Sequence, residues 1–115
     1  MSAPRTVSVS VIFPQPIPAG GVVRVLVEDT SRADAAATVV AEEVEPLTRR
    51  LTGGERLAFR LTVPEVDDRA HYSVRVHVDC SGSGEVSAGD RITTRACPVL
   101  TYGAPDHVEA AVVEI

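Results

Sequence analysis

Residues 22–45 read VVRVLVEDTSRADAAATVVAEEVE, and this stretch decides the fold. Val23, Val25 and Val27 alternate with Arg24, Leu26 and Glu28. That period of two puts one face of an extended strand in a core. Residues 29–34, DTSRAD, then supply short polar side chains that hydrogen-bond their own backbone and turn the chain. Asp29, Ser31 and Asp34 are the residues expected to shape this turn. A second extended run, residues 38–45, leaves it. The unit is a pair of strands, and it carries no catalytic motif.

The same alternation recurs on both sides. Residues 6–13, TVSVSVIF, place Val7, Val9, Val11 and Phe13 on one face. Residues 57–63, LAFRLTV, turn Leu57, Phe59, Leu61 and Val63 inward. Residues 71–79, HYSVRVHVD, turn Tyr72, Val74, Val76 and Val78 inward and leave Ser73, Arg75, His77 and Asp79 on an outer, exposed polar face. A short strand is expected around 85–87 and an extended run over 91–100, with Pro98 at an edge or bulge. Residues 108–115 form a final strand whose mixed pattern suggests cover on both faces. The PQPIP connection, residues 14–18, reads as a stiff link between strands, with a PxxP-type ligand as the sharper alternative. No amphipathic helix and no internal repeat is visible. The pattern predicts an all-β, single-domain antiparallel β-sandwich of about seven or eight short strands. A short N-terminal tail, residues 1–5, precedes the sandwich domain, residues 6–115. The immunoglobulin variety is disfavoured because the chain has no Trp.

Composition narrows the function. The 115 residues suffice for one domain with its own core. Aromatic content of 3% leaves that core to Val, Leu, Ile and Ala. A net charge of −5 argues against nucleic-acid binding, which needs a basic face. No apolar run is long enough for a transmembrane segment. No signal peptide or lipobox is visible, so the chain reads as cytoplasmic as written, or as a cell-envelope protein if an export signal was trimmed. Cys80 and Cys97 are too few for a disulfide scaffold, and whether they pair is open.

No catalytic or metal-binding motif is complete in the sequence. Gly53-Gly54 lacks the Lys-Ser/Thr that a phosphate loop requires. Asp67-Asp68 lacks the spaced oxygen ligands of a calcium loop. Ser83 fails the G-x-S-x-G elbow because Ser81 stands two residues before it. His71 and His77 have no further ligand at zinc spacing. The expectation is therefore no catalytic residue, no cofactor and no stoichiometric metal.

Three segments resemble the YbaY/YscW-like family of bacterial lipoproteins: residues 27–43 (VEDTSRADAAATVVAEE), 69–78 (RAHYSVRVHV) and 97–109 (CPVLTYGAPDHVE). Within the last, Pro98, Val99, Leu100, Thr101, Gly103, Ala104 and Pro105 carry the most specific signature. Cys97 stands where an aromatic residue is expected. The resemblance implies a small β-sandwich. It also implies a non-catalytic binding or chaperone module, because members associated with type III secretion act as pilotins that help a secretin reach the outer membrane. A protein or peptide partner is implied, secretin-like if the chain is a pilotin. Two alternatives stand beside it: a small hydrolase or metal-dependent enzyme using Asp106 and His107, and a purely structural envelope domain. The hydrolase is the weaker, because adjacent residues on a strand point to opposite faces.

Overall fold

A computed structural model describes residues 3–115. Eight strands follow in chain order: β1 (Arg5–Phe13), β2 (Val22–Asp29), β3 (Thr38–Pro46), β4 (Glu55–Val63), β5 (Tyr72–Asp79), β6 (Arg91–Thr93), β7 (Pro98–Val99) and β8 (His107–Glu114). Residues 1 and 2 of the predicted tail lie outside the described residues, and Arg5 already opens β1. The strands form one continuous path, β3-β2-β5-β6-β8-β1-β4, with β7 paired to β5. The outer strands β3 and β4 come into contact, so the sheet curls into a nearly closed wall. Its shortest dimension is 20 Å. That is the space of two sheet layers about 10 Å apart with their outer side chains. The molecule is an all-β single domain, a flattened and nearly closed barrel.

The valine alternation builds the interior. Val7, Val11, Val25, Val27 and Val76 are fully enclosed, as are Phe13 and Leu51. Phe59, Leu61 and Val74 join them from β4 and β5. The registers are those the alternation requires: Val9 lies opposite Phe59, and Val25 opposite Val76. The proline-rich link after β1 contributes as well, since Ile17 is buried and exchanges both backbone hydrogen bonds with Leu51.

Four local features differ from the sequence reading. The pairing of β1 with β8 is parallel, whereas the other strand pairs are antiparallel. Side-chain alternation reports which face is buried and carries no information about strand direction. Residues 85–87 are not a strand; they belong to a loop held by hydrogen bonds to Asp79 and Asp90. His77 and Asp79 were expected on an exposed face and are buried, because that loop folds back beside them. Finally, β8 is covered on one face only: Ala110 and Val112 are buried while Glu109, Ala111 and Val113 are exposed.

Candidate functional site

The strand β8 serves two neighbours in turn. His107 to Ala111 pair with β1, and Val112 to Glu114 pair with β6 on the other side. Hydrogen-bond direction alternates along a strand. The Ser8 N–H donates to the Asp106 carbonyl at 2.8 Å, which places the even-numbered residues of β8 toward β1. The Ile115 N–H donates to the Asp90 carbonyl at 3.0 Å, which places the odd-numbered ones toward β6. Glu109 therefore turns its backbone N–H and C=O away from β1. The strand β6 has ended at Thr93, and among the described residues no hydrogen bond reaches these groups. They form a short open edge in the interior of the strand path, whose two end strands, β3 and β4, are edges as well.

A cleft lies along this edge. Its larger part, about 820 Å³, is lined by Thr30, His71, Cys97, Tyr102, Pro105 and Glu109, among others. A second part, about 470 Å³, continues past Ala96, Cys97 and Glu109 to Arg95, Ala111 and Ile12. The two share Ala96, Cys97 and Glu109 and make one groove parallel to the open edge.

The segment 98–105 forms one wall, with Pro98 and Thr101 to Pro105 lining it. Val99, Leu100 and Thr101 are buried and hold the segment down. The Thr101 hydroxyl donates to the Ala70 carbonyl at 2.6 Å, and the Arg5 guanidinium donates to the Leu100 carbonyl at 2.8 Å. Pro98 pairs with Ser73 of β5. Gly103, Ala104 and Pro105 line the groove. Leu100, Tyr102 and Gly103 take left-handed backbone, with φ of 73°, 56° and 78°. Such a conformation costs energy for a residue other than glycine and persists only where neighbours hold it. Here the effect is to lift Tyr102, 65% exposed, out over the groove. Its ring stacks on His71 with centroids 4.2 Å apart, and its hydroxyl donates to the Arg69 carbonyl at 2.7 Å. Sequence reasoning missed this aromatic platform; the spacing from His71 to Tyr102 carries no local signal.

The turn after β2 adjoins the same groove. The Asp29 carboxylate accepts the Ser31 N–H at 2.9 Å, and the Ser31 hydroxyl and N–H hold its carboxyl below the ordinary aspartate range. In turn, Ser31 Oγ accepts the His71 N–H at 2.9 Å, and the Thr30 N–H donates to the His71 carbonyl at 2.8 Å. Asp29 and Ser31 thus fix the backbone that carries one end of the stacked pair. Asp34 lies further out in the turn, exposed, and makes none of these bonds.

Asp106 and His107 stand at the start of β8. Both Asp106 oxygens accept from the Arg5 guanidinium, at 2.7 and 2.9 Å, and His107 is exposed with no hydrogen bond to Asp106 among the described residues. The carboxylate is engaged as an anchor for β1 rather than directed at the imidazole. Both cysteines are free thiols. Burial pushes the Cys97 thiol up, which keeps this groove residue protonated and a poor nucleophile at neutral pH. The groove offers contact area, a stacked aromatic pair and free backbone hydrogen-bonding groups, which are the means of recognising a polypeptide.

The profile of the type III secretion system lipoprotein chaperone (YscW) family matches residues 2–112 of the chain. Among solved structures, an alternative pilotin from the type II secretion system of Vibrio cholerae is similar, with a TM-score of 0.74 and 28% sequence identity over 97% of this chain and 97% of that chain. No curated protein matches the chain.

Proposed function

We propose, from the premise that the chain belongs to the type III secretion system lipoprotein chaperone (YscW) family, that it binds an extended segment of a secretin-like partner along the open edge of β8. A non-catalytic chaperone role follows from the family and from the likeness to a pilotin. The cell envelope is the site of action that fits both. The partner segment is the finer part of the reading, and one observation supports it: among the described residues the Glu109 N–H and C=O are unpaired beside a groove that residues of the segment 98–105 help to line. A guest strand would bond to these groups, while alternate side chains of the guest would enter the groove beside Tyr102 and Cys97.

The test is titration of a labelled peptide from the C-terminal tail of a secretin. Proline at an edge whose N–H faces solvent leaves the strand's other ladder intact. Glu109→Pro is therefore expected to weaken binding about tenfold or more, since one lost hydrogen bond plus a steric block is worth roughly 1.4 kcal/mol or more. Glu109→Ala keeps the backbone N–H while removing the groove-lining side chain and its exposed ion pair with Arg56, so it should bind more tightly than Glu109→Pro. Equal affinity of all three proteins would sink the proposal that the partner adds to this edge.

A further inference from the structure

Residues 79–90 read DCSGSGEVSAGD, and no part of the proposed partner groove uses them. Asp79, Ser81, Ser83, Glu85, Ser87 and Asp90 fall at positions 1, 3, 5, 7, 9 and 12 of this stretch, with Gly84 at position 6. That is the spacing by which a calcium loop presents its oxygens, the seventh through a backbone carbonyl and the sixth reserved for a glycine. The structure gathers those oxygens. Ser81 Oγ lies 3.2 Å from Asp79 Oδ1, 3.0 Å from Ser83 Oγ and 3.3 Å from Ser87 Oγ. Ser83 Oγ lies 3.0 Å from the Glu85 carbonyl oxygen, and Ser87 Oγ 3.5 Å from Asp90 Oδ2. Oxygens held by one calcium ion at 2.3–2.6 Å stand roughly 3 to 3.5 Å from their neighbours in the shell. Gly84 has φ +83°, and its N–H donates to Asp79 Oδ2 at 2.8 Å, which closes the loop around the cluster.

Charge supplies an independent argument. Asp79 and Asp90 are both fully buried. Among the described residues no arginine pairs with either; the Arg91 guanidinium instead donates to the Gln15 and Pro16 carbonyls. Asp90 has His77 at 2.8 Å, whereas Asp79 has only hydroxyl and backbone donors. Buried carboxylates are ordinarily paired with a cation or coordinate a metal. One ligand atom from each of His77, Asp79 and Asp90 lies within 4.8 Å of the others. The imidazole bonded to Asp90 suits the role of an outer partner that orients the ligand.

We infer that the loop from Asp79 to Asp90 is a calcium site, with two carboxylates, three hydroxyls and the Glu85 carbonyl as ligands. Two formal negative charges put it in the weak class, with dissociation constants of about 10⁻⁴ to 10⁻³ M, the range of modules that work in calcium-rich surroundings. Magnesium demands a stricter octahedron and sheds its water reluctantly, so it should bind less well. The site is distinct from the groove and does not rest on the partner reading.

The experiment uses the whole chain with calcium chloride or magnesium chloride as the probe. Calcium is expected to raise the unfolding temperature by mass action over the range up to about 10 mM, and to shift amide resonances of residues 79–91 selectively. Ser81→Ala with Ser83→Ala, which spares both buried carboxylates, should lower calcium affinity by at least the roughly tenfold seen for lost outer partners. No stabilisation by calcium up to about 10 mM overturns the site. So does an equal response to magnesium, or calcium binding that the double serine variant leaves unchanged.

Discussion

The two halves of β8 have opposite surroundings. The C-terminal half is sealed on its β6 side: Val112 to Glu114 pair with β6, and the neighbouring Asp90 closes the corner through His77, Cys80 and Ser87. The N-terminal half pairs with β1 and is open on the β6 side, because β6 stops at Thr93 and the chain swings away as far as Pro98. Each end also has an aspartate that ties down a loop. Asp90 does so in full burial, Asp29 at the rim of the groove. The difference separates two uses of one hydrogen-bonding group. A backbone amide satisfied inside the protein contributes to stability; one left free beside a cleft is available to a partner.

The largest expected effect tests the sealed half. Asp90→Ala removes the acceptor for the Cys80 and Ser87 N–H groups and for His77. Leaving buried donors unpaired costs about 1–3 kcal/mol each where water cannot reach them, so a loss near 3 kcal/mol is expected in urea unfolding. A loss below about 1 kcal/mol would mean that water already enters this corner, and the contrast with the groove would collapse.

Acid sharpens the same contrast. The His77 hydrogen bond, with the Cys80 and Ser87 N–H groups, holds the Asp90 carboxyl below the ordinary aspartate range. A lowered native pKa means that the unfolded chain binds more protons as pH falls, so this stabilisation is present above about pH 4 and lost as pH drops through the native value. Asp90→Asn should therefore flatten the acid limb of the stability profile below about pH 4. An acid limb as steep as that of the unaltered chain would shift the effect to Asp79, whose carboxyl the Gly84 and Gly82 N–H groups also hold low.

The smallest effect tests the open end. Asp29→Ala should cost about 1 kcal/mol, the usual worth of such a cap, and Asp29→Asn less because an acceptor oxygen survives. The two capping aspartates would then differ in cost because they differ in burial. A loss for Asp29→Ala equal to that for Asp90→Ala would remove burial as the explanation.

How much of this could be read from the chain depends on what each pattern encodes. Val7, Val9, Val11, Phe59, Leu61 and Val63 announced their strands because every second side chain had to be apolar. His77 and Asp79 were misread because alternation assumes that the outer face meets water, and a loop had returned to cover it. The calcium-loop spacing of 79–90 was legible in principle, yet serines in place of carboxylates hid it beside the more obvious Asp67-Asp68. Part of the segment 98–105 lines the groove. Its sequence alone could not show that Val99 and Leu100 are buried anchors while Gly103, Ala104 and Pro105 line the cleft. The open edge of β8 was invisible, since it arises where another strand ends.

The parallel pairing of Ser8 with His107 has a kinetic consequence. These partners are separated by nearly the whole sequence, and closing a flexible chain of about 100 residues costs about 4 kcal/mol of entropy before any contact offsets it. The antiparallel partner β4 can dock on β1 early, but the other edge of β1 stays bare until β8 has emerged. Closure of the barrel is thus a late event in folding and a slow one, as for other folds dominated by non-local pairing. Until then the chain carries an exposed valine-rich strand edge, the kind of surface on which unfinished β-proteins aggregate. The Arg5–Asp106 fork at this junction joins the first strand to the segment that enters the last, so it can form only when closure is nearly complete.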